Sequence, residues 1–310
     1  MEDPAIAQVR RFNRVVTQRI GALDHRFLSR ERSLGESRLL WEVGPAGADL
    51  RALRARLGLD AGYLSRLLQS LERAGLVRLA PKPSDRRVRI ARLTRTGVAE
   101  RAVLDRRSDE LAASLLAPLG GGQRQRLVAA MAEVERLLTA ALVEVSATDP
   151  ADPDARTCMT AYFRELDQRF DAGFDPARTI SAFDAELRAP AGLLLVARLH
   201  GEPIGCGALK LHRRAPAEIK RMWVASSARG LGIGRRLLAE LEQQAREHGA
   251  RMVRLETNRS LVEAIAMYRA AGYREVSAFN DEAYAHHWFQ KRLPAGAPRR
   301  RAERRPRGRT

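Results

Sequence analysis

The sequence contains few of the residues that disulfide or metal scaffolds need. Its 310 residues include two cysteines, Cys158 and Cys206, too few for a disulfide framework or a cysteine zinc site. No run approaches the roughly 18 consecutive apolar residues of a membrane-spanning helix. The N-terminus shows no basic and then apolar secretory pattern, so the sequence predicts a cytoplasmic protein. We expect neither a membrane nor a metal as a partner.

Acidic residues are scarce relative to basic ones. The chain has 37 Asp and Glu against 55 Lys and Arg, a formal net charge of +18. Hydrophobic residues make up 45% of the chain, which indicates a globular rather than a disordered protein. The basic excess favours an anionic partner, with nucleic acid the leading candidate. The stretch 294–310 is rich in arginine and is predicted to be disordered, where it either strengthens DNA binding or only keeps the chain soluble.

Proline and aspartate cluster near the middle of the chain. Two prolines and three aspartates lie between Ser146 and Asp154, after a long helical stretch. Because proline disfavours helix in itself and in the residue before it, we predict a linker over 148–156. This linker divides a first domain, 1–147, from a second, 157–293, which the arginine-rich tail follows.

Residues 49–75 have the pattern of two helices joined by a short turn. Asp49 is placed to cap the first helix, which Gly58 stops, and Asp60 to cap the second. In the second helix, leucines recur at the spacing of one buried face: Leu64, Leu67, Leu68 and Leu71. The pattern is typical of a helix-turn-helix, whose second helix enters the major groove of DNA. Its opposite face carries polar and aromatic residues: Tyr63, Ser65, Arg66, Gln69 and Arg73.

A basic ribbon follows the second helix. The segment from Arg78 to Arg92 alternates in polarity and turns at Pro83-Ser84-Asp85. It carries six basic residues: Arg78, Lys82, Arg86, Arg87, Arg89 and Arg92. We therefore predict a β-hairpin that lies against the phosphate backbone of DNA.

Together these motifs resemble the MarR family of winged-helix regulators. The resemblance covers about residues 5–145, and its motifs, among them Asp85-Arg86-Arg87, occur in the family's order. It implies a homodimer formed by the terminal helices, a recognition helix at 60–73 and a wing at about 79–92. It also implies binding to palindromic double-stranded DNA, for which a basic surface used only in protein interactions is the alternative. The implied DNA-binding residues are Tyr63, Ser65, Arg66, Gln69, Arg73, Asp85, Arg86 and Arg87.

The second half alternates strand-like and helical segments. We predict strands at Leu193–Leu199, Pro203–Leu211, Glu218–Val224, Arg251–Thr257, Tyr273–Val276 and Ala285–Leu293. A long helix is predicted over 232–248, and Ser260 with Glu263 predicts a capping box for a helix that runs through Ala271. These elements indicate an α/β domain with a mixed, mostly antiparallel sheet.

A glycine-rich loop from Arg229 to Arg235 connects a predicted strand to the long helix. Glycines let a backbone approach an anion closely, and the N-terminus of a helix attracts phosphate. The loop is not a Walker loop, because no Gly-Lys-Ser/Thr follows it. A turn that is tight only for steric reasons is the alternative.

The loop and its flanks resemble the GNAT superfamily of acetyl-CoA-dependent N-acetyltransferases. Arg229-Gly-Leu-Gly-Ile-Gly234 fits the family's pyrophosphate loop, and Ala266 to Tyr273 matches its late tyrosine-bearing helix. The resemblance covers about 157–293 and implies acetyl-CoA as the acetyl-donor substrate. The implied contacts are Met222, Trp223, Val224, Arg229, Gly230, Leu231, Gly232, Ile233, Gly234, Arg235 and Asn258, the last of which is alternatively a plain turn residue.

The second half also offers an acid and a base for the transfer. We expect Tyr268 to protonate the departing thiolate and Glu218 to deprotonate the amine. The alternatives are a packed aromatic for Tyr268 and, for Glu218, an ion pair with a nearby lysine or arginine. An aromatic set either lines the acceptor pocket or packs in the core: Tyr162, Phe163, Phe170 and Phe174.

The sequence therefore predicts two domains, a mainly α winged helix-turn-helix followed by an α/β GNAT fold. The predicted function is that of a bifunctional transcription regulator and N-acetyltransferase, which acts by direct transfer in a ternary complex. The acceptor is expected to be an amine of a small molecule or of a protein lysine. One alternative is a DNA-binding regulator whose second domain only senses acetyl-CoA or a small amine, and another is an enzyme whose winged helix only dimerises.

Overall fold

The computed structural model describes residues 3–22, 28, 32–82, 85–180 and 183–294, and it leaves the side chain of Arg86 undescribed. Two parts of the predictions therefore lie outside the described residues: the Pro83-Ser84 part of the wing turn, and the arginine-rich tail beyond residue 294. Backbone contacts divide the chain into two compact units, Met1–Glu133 and Val134–Thr310. No helix in the described ranges is long and apolar enough to cross a membrane.

The first half is mainly helical and carries a small antiparallel sheet. Its helices are α1 (Pro4–Arg19), α2 (Leu34–Val43), α3 (Leu50–Leu57), α4 (Ala61–Arg73), α5 (Arg95–Leu116) and α6 (Gly121–Ala141). Its strands are β1 (Ala48–Asp49), β2 (Val77–Lys82) and β3 (Asp85–Leu93). In the sheet β3 lies between β1 and β2.

Helices α3 and α4 begin and end where the sequence predicts. The Asp49 side chain accepts a hydrogen bond from the Arg51 N–H at 2.7 Å, and Gly58 adopts a left-handed conformation at the end of α3. Asp60 caps α4 by accepting from the Tyr63 N–H at 2.8 Å. The predicted leucine stripe of α4 is buried and packs against α2 and the small sheet. This packing fixes which face of α4 is left for solvent.

The second half is an α/β unit built on a twisted sheet. Within the described chain, its strands are β4 (Glu144–Ala147), β5 (Gly192–Leu199), β6 (Glu202–Lys210), β7 (Ala217–Val224), β8 (Met252–Thr257), β9 (Arg274–Val276) and β10 (His287–Arg292). They lie in the order β4-β5-β6-β7-β8-β10-β9, and β7 with β8 is the parallel pair among antiparallel ones. The helices are α7 (Pro153–Arg169), α8 (Ile233–Glu247) and α9 (Val262–Ala270). The inner face of α8 is buried on the sheet as predicted, through Leu237, Leu238, Leu241 and Ala245.

The segment predicted as a linker differs from the structure at both ends. Strand β4 pairs antiparallel with β5, so residues assigned to the first domain belong to the second sheet. Helix α7 begins at Pro153, with Asp152 as its N-cap. Proline is tolerated there because the first N–H of a helix has no intrahelical acceptor. The domain limits drawn from the sequence stay a prediction.

Strands β7 and β8 separate toward their C-terminal ends. They pair at Ala217 with Val253 and at Glu218 with Arg254, whereas β7 continues to Val224 and β8 to Thr257. A bulge near Arg221, whose φ is +56°, interrupts the pairing of β7 with β6. The separation opens a wedge in the sheet, and the cavities of this unit lie there.

Candidate functional site

The larger of two adjacent cavities in the described part of the GNAT unit lies between the end of β7, the start of α8 and α9. Its volume is about 570 Å³. Among its lining residues are all three predicted residues of the β7 edge, Met222, Trp223 and Val224, together with most of the glycine loop. The loop residues on its wall are Arg229, Gly230, Gly232, Ile233, Gly234 and Arg235, whereas Leu231 packs against the hydrophobic core.

The glycine loop is shaped to present backbone N–H groups to this cavity. Gly230 and Gly232 have φ angles of +83° and +78°, a backbone conformation that residues with a Cβ rarely adopt. Gly232 is the N-cap of α8, a helix of 15 residues, so the unpaired N–H groups of its first turn face the loop. This arrangement suits a phosphate group, which the helix dipole also attracts.

The two arginines of the loop differ in their surroundings. The Arg229 guanidinium donates to both carboxylate oxygens of Glu165 at 2.5 and 2.6 Å and is thus neutralised within the chain. Burial acts to raise the pKa of Glu165, but hydrogen bonds from Arg229, Trp223 and Arg169 outweigh it and hold that pKa below its usual value. Arg235 is exposed at the cavity wall. Of the two guanidinium groups, that of Arg235 is better placed for phosphate.

The smaller cavity has a volume of about 100 Å³, and six aromatic residues are among those that line it. The four predicted aromatics line it and also pack on one another, and their place in an acceptor pocket stays a prediction. Tyr284, which the sequence analysis did not single out, completes the wall at 5.0 Å from the Phe174 ring. Tyr162, Met222 and Tyr268 border both cavities. The two spaces therefore meet at these side chains.

Tyr268 of α9 lies at this junction. It is 5% exposed, and its ring packs against those of Tyr273 and Phe289. Burial raises the pKa of Tyr268 far above its usual value, because the anion would lose its hydration. The residue therefore keeps its proton at neutral pH.

In the first half, the exposed face of α4 is the candidate DNA surface. All five predicted residues of the helix, Tyr63, Ser65, Arg66, Gln69 and Arg73, are exposed, and the Arg66 guanidinium lies 5.6 Å from the Tyr63 ring centre. In the wing, the Asp85 carboxylate accepts from the Arg87 N–H at 3.0 Å. Asp85 thus fixes the backbone next to two arginines.

Comparison with known proteins agrees with this geometry. The family description "Acetyltransferase (GNAT) family" matches residues 159–273. An IAA acetyltransferase of Azospirillum brasilense is 38% identical over 123 residues, which are 39% of this chain and 80% of its own. The N-alpha-acetyltransferase RimI of Mycobacterium tuberculosis is 35% identical over 126 residues, 40% of this chain and 74% of its own. The chain belongs to the GNAT acetyltransferase family.

The first half adds a second family. The description of the MarR family matches residues 31–88, which span α2 to the wing, so this GNAT protein carries a MarR domain as the sequence predicts.

A solved GNAT-family acetyltransferase of Staphylococcus aureus is 17% identical, covers 49% of this chain and 99% of its own, and has a TM-score of 0.43. As a GNAT enzyme, the chain is an acetyl-CoA-dependent N-acetyltransferase, with acetyl-CoA as the acetyl donor.

The structure places Glu218, the predicted base, away from the cavities of the GNAT unit. Its carboxylate accepts from Arg254 Nη2 at 2.6 Å and lies 3.3 Å from His212 Nε2 and 3.6 Å from Lys220 Nζ. Burial acts to raise its pKa, but these cations outweigh burial and lower it. Glu218 is in the part of β7 that still pairs with β8, before the strands separate. The geometry therefore favours the ion-pair alternative for this residue.

Two carboxylates line the smaller cavity, Glu282 and Glu256 of β8. Both oxygens of Glu282 accept hydrogen bonds, from Thr179, Ile180 and Tyr284, whereas Glu256 is less fully bonded. Its side chain is 7% exposed, and Lys220 donates to Oε1. Oε2 is buried and has no hydrogen-bond partner among the described residues. Sequence reasoning missed it because nothing local distinguishes an acid in an alternating strand. The only signal was a lone carboxylate on the strand that follows the long helix.

Asn258 is a turn residue in this structure. Its Nδ2 donates to the Tyr284 carbonyl at 2.8 Å, and its Oδ1 accepts from the Ser260 N–H at 2.9 Å. It borders the smaller cavity rather than the larger one. Its contact with acetyl-CoA stays a prediction.

Proposed function

We propose that the chain is a bifunctional protein in which the GNAT unit transfers acetyl directly from acetyl-CoA to an amine within a ternary complex. One observation carries the proposal: Glu256 and the protonated Tyr268 both line the smaller cavity, and Tyr268 also lines the larger one, which would hold acetyl-CoA. Oε2 of Glu256 has no hydrogen-bond partner among the described residues. A base and an acid on either side of one reaction centre are what direct transfer needs. Cys158 and Cys206, by contrast, are fully buried in the core beneath the sheet.

In this mechanism, each residue has one task. The N–H groups of the glycine loop and Arg235 bind the pyrophosphate, and the edge of β7 orients the pantetheine arm. Glu256 takes a proton from the acceptor ammonium, and the neutral nitrogen attacks the thioester carbonyl carbon. The N–C bond forms, the C–S bond breaks, and the thiolate takes the proton of Tyr268. The second proton of the amine, lost as the intermediate collapses, restores the neutral form of Tyr268, and Glu256 passes the first proton to solvent.

The test is release of CoA thiol by the purified full chain, with a panel of amino acids, polyamines, aminoglycosides and lysine peptides. We expect turnover of an acceptor class and a fall of about 10²- to 10⁴-fold in kcat for Tyr268→Phe, the usual worth of general acid catalysis. Tyr273→Phe is the matched control, because Tyr273 is as buried as Tyr268 and packs beside it. Tyr273 is not among the described residues that line either cavity. Acetyl-CoA binding without turnover of any amine would support the sensor alternative instead.

We propose that the protein is cytoplasmic and that its MarR domain forms a homodimer that binds palindromic DNA. Support comes from apolar side chains that recur along the exposed face of α1: Ile6, Val9, Phe12 and Val15, each 44–58% exposed. Such a stripe needs a partner, and two copies would set the recognition helices about 34 Å apart, one turn of DNA. Light scattering tests the dimer: Val9→Glu should give monomers, whereas Arg10→Glu, on the same helix, should not.

A further inference from the structure

Lysine is scarce in this strongly basic chain. Of its 55 lysine and arginine residues, four are lysines: Lys82, Lys210, Lys220 and Lys291. The distinction matters for an N-acetyltransferase, because a guanidinium stays charged at physiological pH, whereas a lysine ammonium loses a proton and becomes a nucleophile. These four are therefore the side-chain amines that the chain offers to its own GNAT unit.

Three of the four lysines lie within the GNAT unit and are little exposed. Their side chains are 10%, 8% and 24% exposed for Lys210, Lys220 and Lys291 respectively. Each ammonium is paired with a glutamate: Lys210 with Glu186, Lys220 with Glu256 and Lys291 with Glu242. A carboxylate partner stabilises the protonated amine, and burial keeps an acetyl donor away from it. These three amines are therefore poor acceptors.

Lys82 is the one of the four lysines that is exposed. It ends strand β2 of the wing, where its Cα pairs with that of Asp85, and a bulge separates it from Pro81. The end of a surface hairpin is a place that another protein reaches easily. The accessible lysine of this chain thus lies in the element that we expect to contact DNA.

The neighbours of Lys82 in the wing are arginines. Arg78 of β2 and Arg87 and Arg89 of β3 are also exposed. Acetylation removes the positive charge of a lysine, whereas these arginines keep theirs. Because such charges bind the phosphate backbone of DNA, neutralising Lys82 weakens the wing as a DNA contact without abolishing it.

The smaller cavity of the GNAT unit suits a lysine side chain. Six aromatic residues are among those that line it, and the four methylene groups of a lysine pack well on apolar surface. Glu256 lines the same cavity, and its buried Oε2 has no hydrogen-bond partner among the described residues. An amine at the end of an apolar stem matches this combination.

We propose that Lys82 is a self-acetylation site through which the GNAT unit weakens DNA binding by the wing. The inference rests on the proposed acetyl transfer and names one of its acceptors. Nζ of Lys82 attacks the thioester carbonyl carbon of acetyl-CoA, the N–C bond forms, the C–S bond breaks, and CoA leaves as the thiol. One ammonium proton goes to solvent through Glu256, and one reaches the sulfur by way of Tyr268. The product amide is uncharged, so DNA affinity falls as acetyl-CoA accumulates.

Mass spectrometry of the purified full chain tests the site. Incubation with acetyl-CoA should add an acetyl group that peptide mapping locates at Lys82. Tyr268→Phe should gain this group about 10²- to 10⁴-fold more slowly, because the leaving thiolate loses its acid. This variant separates catalysed transfer from the uncatalysed reaction of acetyl-CoA with an exposed lysine. Lys82→Arg, which keeps the charge but not the amine, should take up no acetyl group under the same conditions.

Fluorescence anisotropy with a mixed-sequence DNA duplex tests the consequence, after acetyl-CoA and CoA have been removed by desalting. We expect the acetylated chain to bind roughly 3- to 10-fold more weakly than the untreated chain, the effect of one lost phosphate contact. The slope of log affinity against log salt concentration should fall by about 1 for each acetylated wing. Lys82→Gln should bind like the acetylated chain, whereas the affinity of Lys82→Arg should not respond to treatment with acetyl-CoA.

Four results would overturn the inference. Acetylation of Lys82 at the same rate in Tyr268→Phe would make it a purely chemical modification. Acetylation at another amine of the chain instead of Lys82 would assign the wrong site, and unchanged DNA affinity after acetylation would leave the wing unregulated. An unmodified Lys82 in a chain that acetylates an amine of the panel overturns the inference but leaves the proposed function standing, while no transfer to any amine overturns both.

Discussion

Arginines in the two halves of this chain have different surroundings, although they look alike in the sequence. In α4 and the wing, Arg66, Arg73 and Arg87 are exposed at the surface. In the GNAT unit, Arg229 is bonded to Glu165 and Arg254 to Glu218. The first group is exposed to an external anion, whereas the guanidinium groups of the second are already paired with carboxylates of the chain. An arginine in an anion-binding motif therefore does not by itself identify an anion contact.

The largest expected effect comes from replacing Glu256, which borders a cavity, and the matched control is Glu218, which is paired with Arg254. We predict that Glu256→Gln lowers kcat/KM for the acceptor by about 10²- to 10⁴-fold, because the amine loses its base. Glu218→Gln should affect stability more than rate, since its carboxylate is held by Arg254 and lies away from the cavities. Steady-state rates and thermal unfolding of both variants separate these effects. A larger rate loss in Glu218→Gln would restore Glu218 as the base.

The difference between these carboxylates also marks what the sequence was able to predict. Local patterns located the leucine stripe of α4, the caps of α3 and α4, and six of the seven described strands of the GNAT sheet, all but β4. The capping box of Ser260 and Glu263 was wrong: α9 starts at Val262, and the Glu263 carboxylate accepts from Arg169 at 2.7 Å. Arg169 is 94 positions away in the chain. Partners at such distances leave no periodic signal.

Glu256 illustrates the same limit for the site. Its role depends on where β7 leaves β8, on the bulge at Arg221, and on which oxygen Lys220 covers. Each of these is a tertiary property. The glycine loop and Tyr268, by contrast, belong to contiguous motifs, and the sequence located them at the cavity.

On the DNA side, the exposed arginines predict a moderate effect. Arg66→Ala should weaken operator binding by about 1–3 kcal/mol if the side chain contacts a base, the usual value of such a contact. Arg106→Ala removes the same charge from the exposed surface of α5 and serves as the control. Fluorescence anisotropy with a palindromic operator and with unrelated DNA measures both. Equal losses in the two variants would indicate a purely electrostatic surface.

The smallest expected effect concerns the ion pair between Arg229 of the glycine loop and Glu165. Because the pKa of Glu165 is lowered in the folded chain, its pairing stabilises the fold above the pKa of the unfolded state and is lost as pH falls through the folded value. Glu165→Gln should therefore reduce stability by about 1 kcal/mol at pH 7, since Arg229 is partly exposed, and by less near pH 3. Thermal unfolding at both pH values checks this. A penalty that grows as pH falls would contradict the sign.

Direct acetyl transfer between two bound substrates is the central claim, and initial-rate kinetics test it most directly. Rates of CoA release are measured while acetyl-CoA and the acceptor are varied together. Direct transfer predicts intersecting double-reciprocal lines, because both substrates occupy the adjacent cavities before the C–S bond breaks. Parallel lines would contradict direct transfer, because they indicate that a nucleophile of the enzyme is acetylated before the acceptor binds.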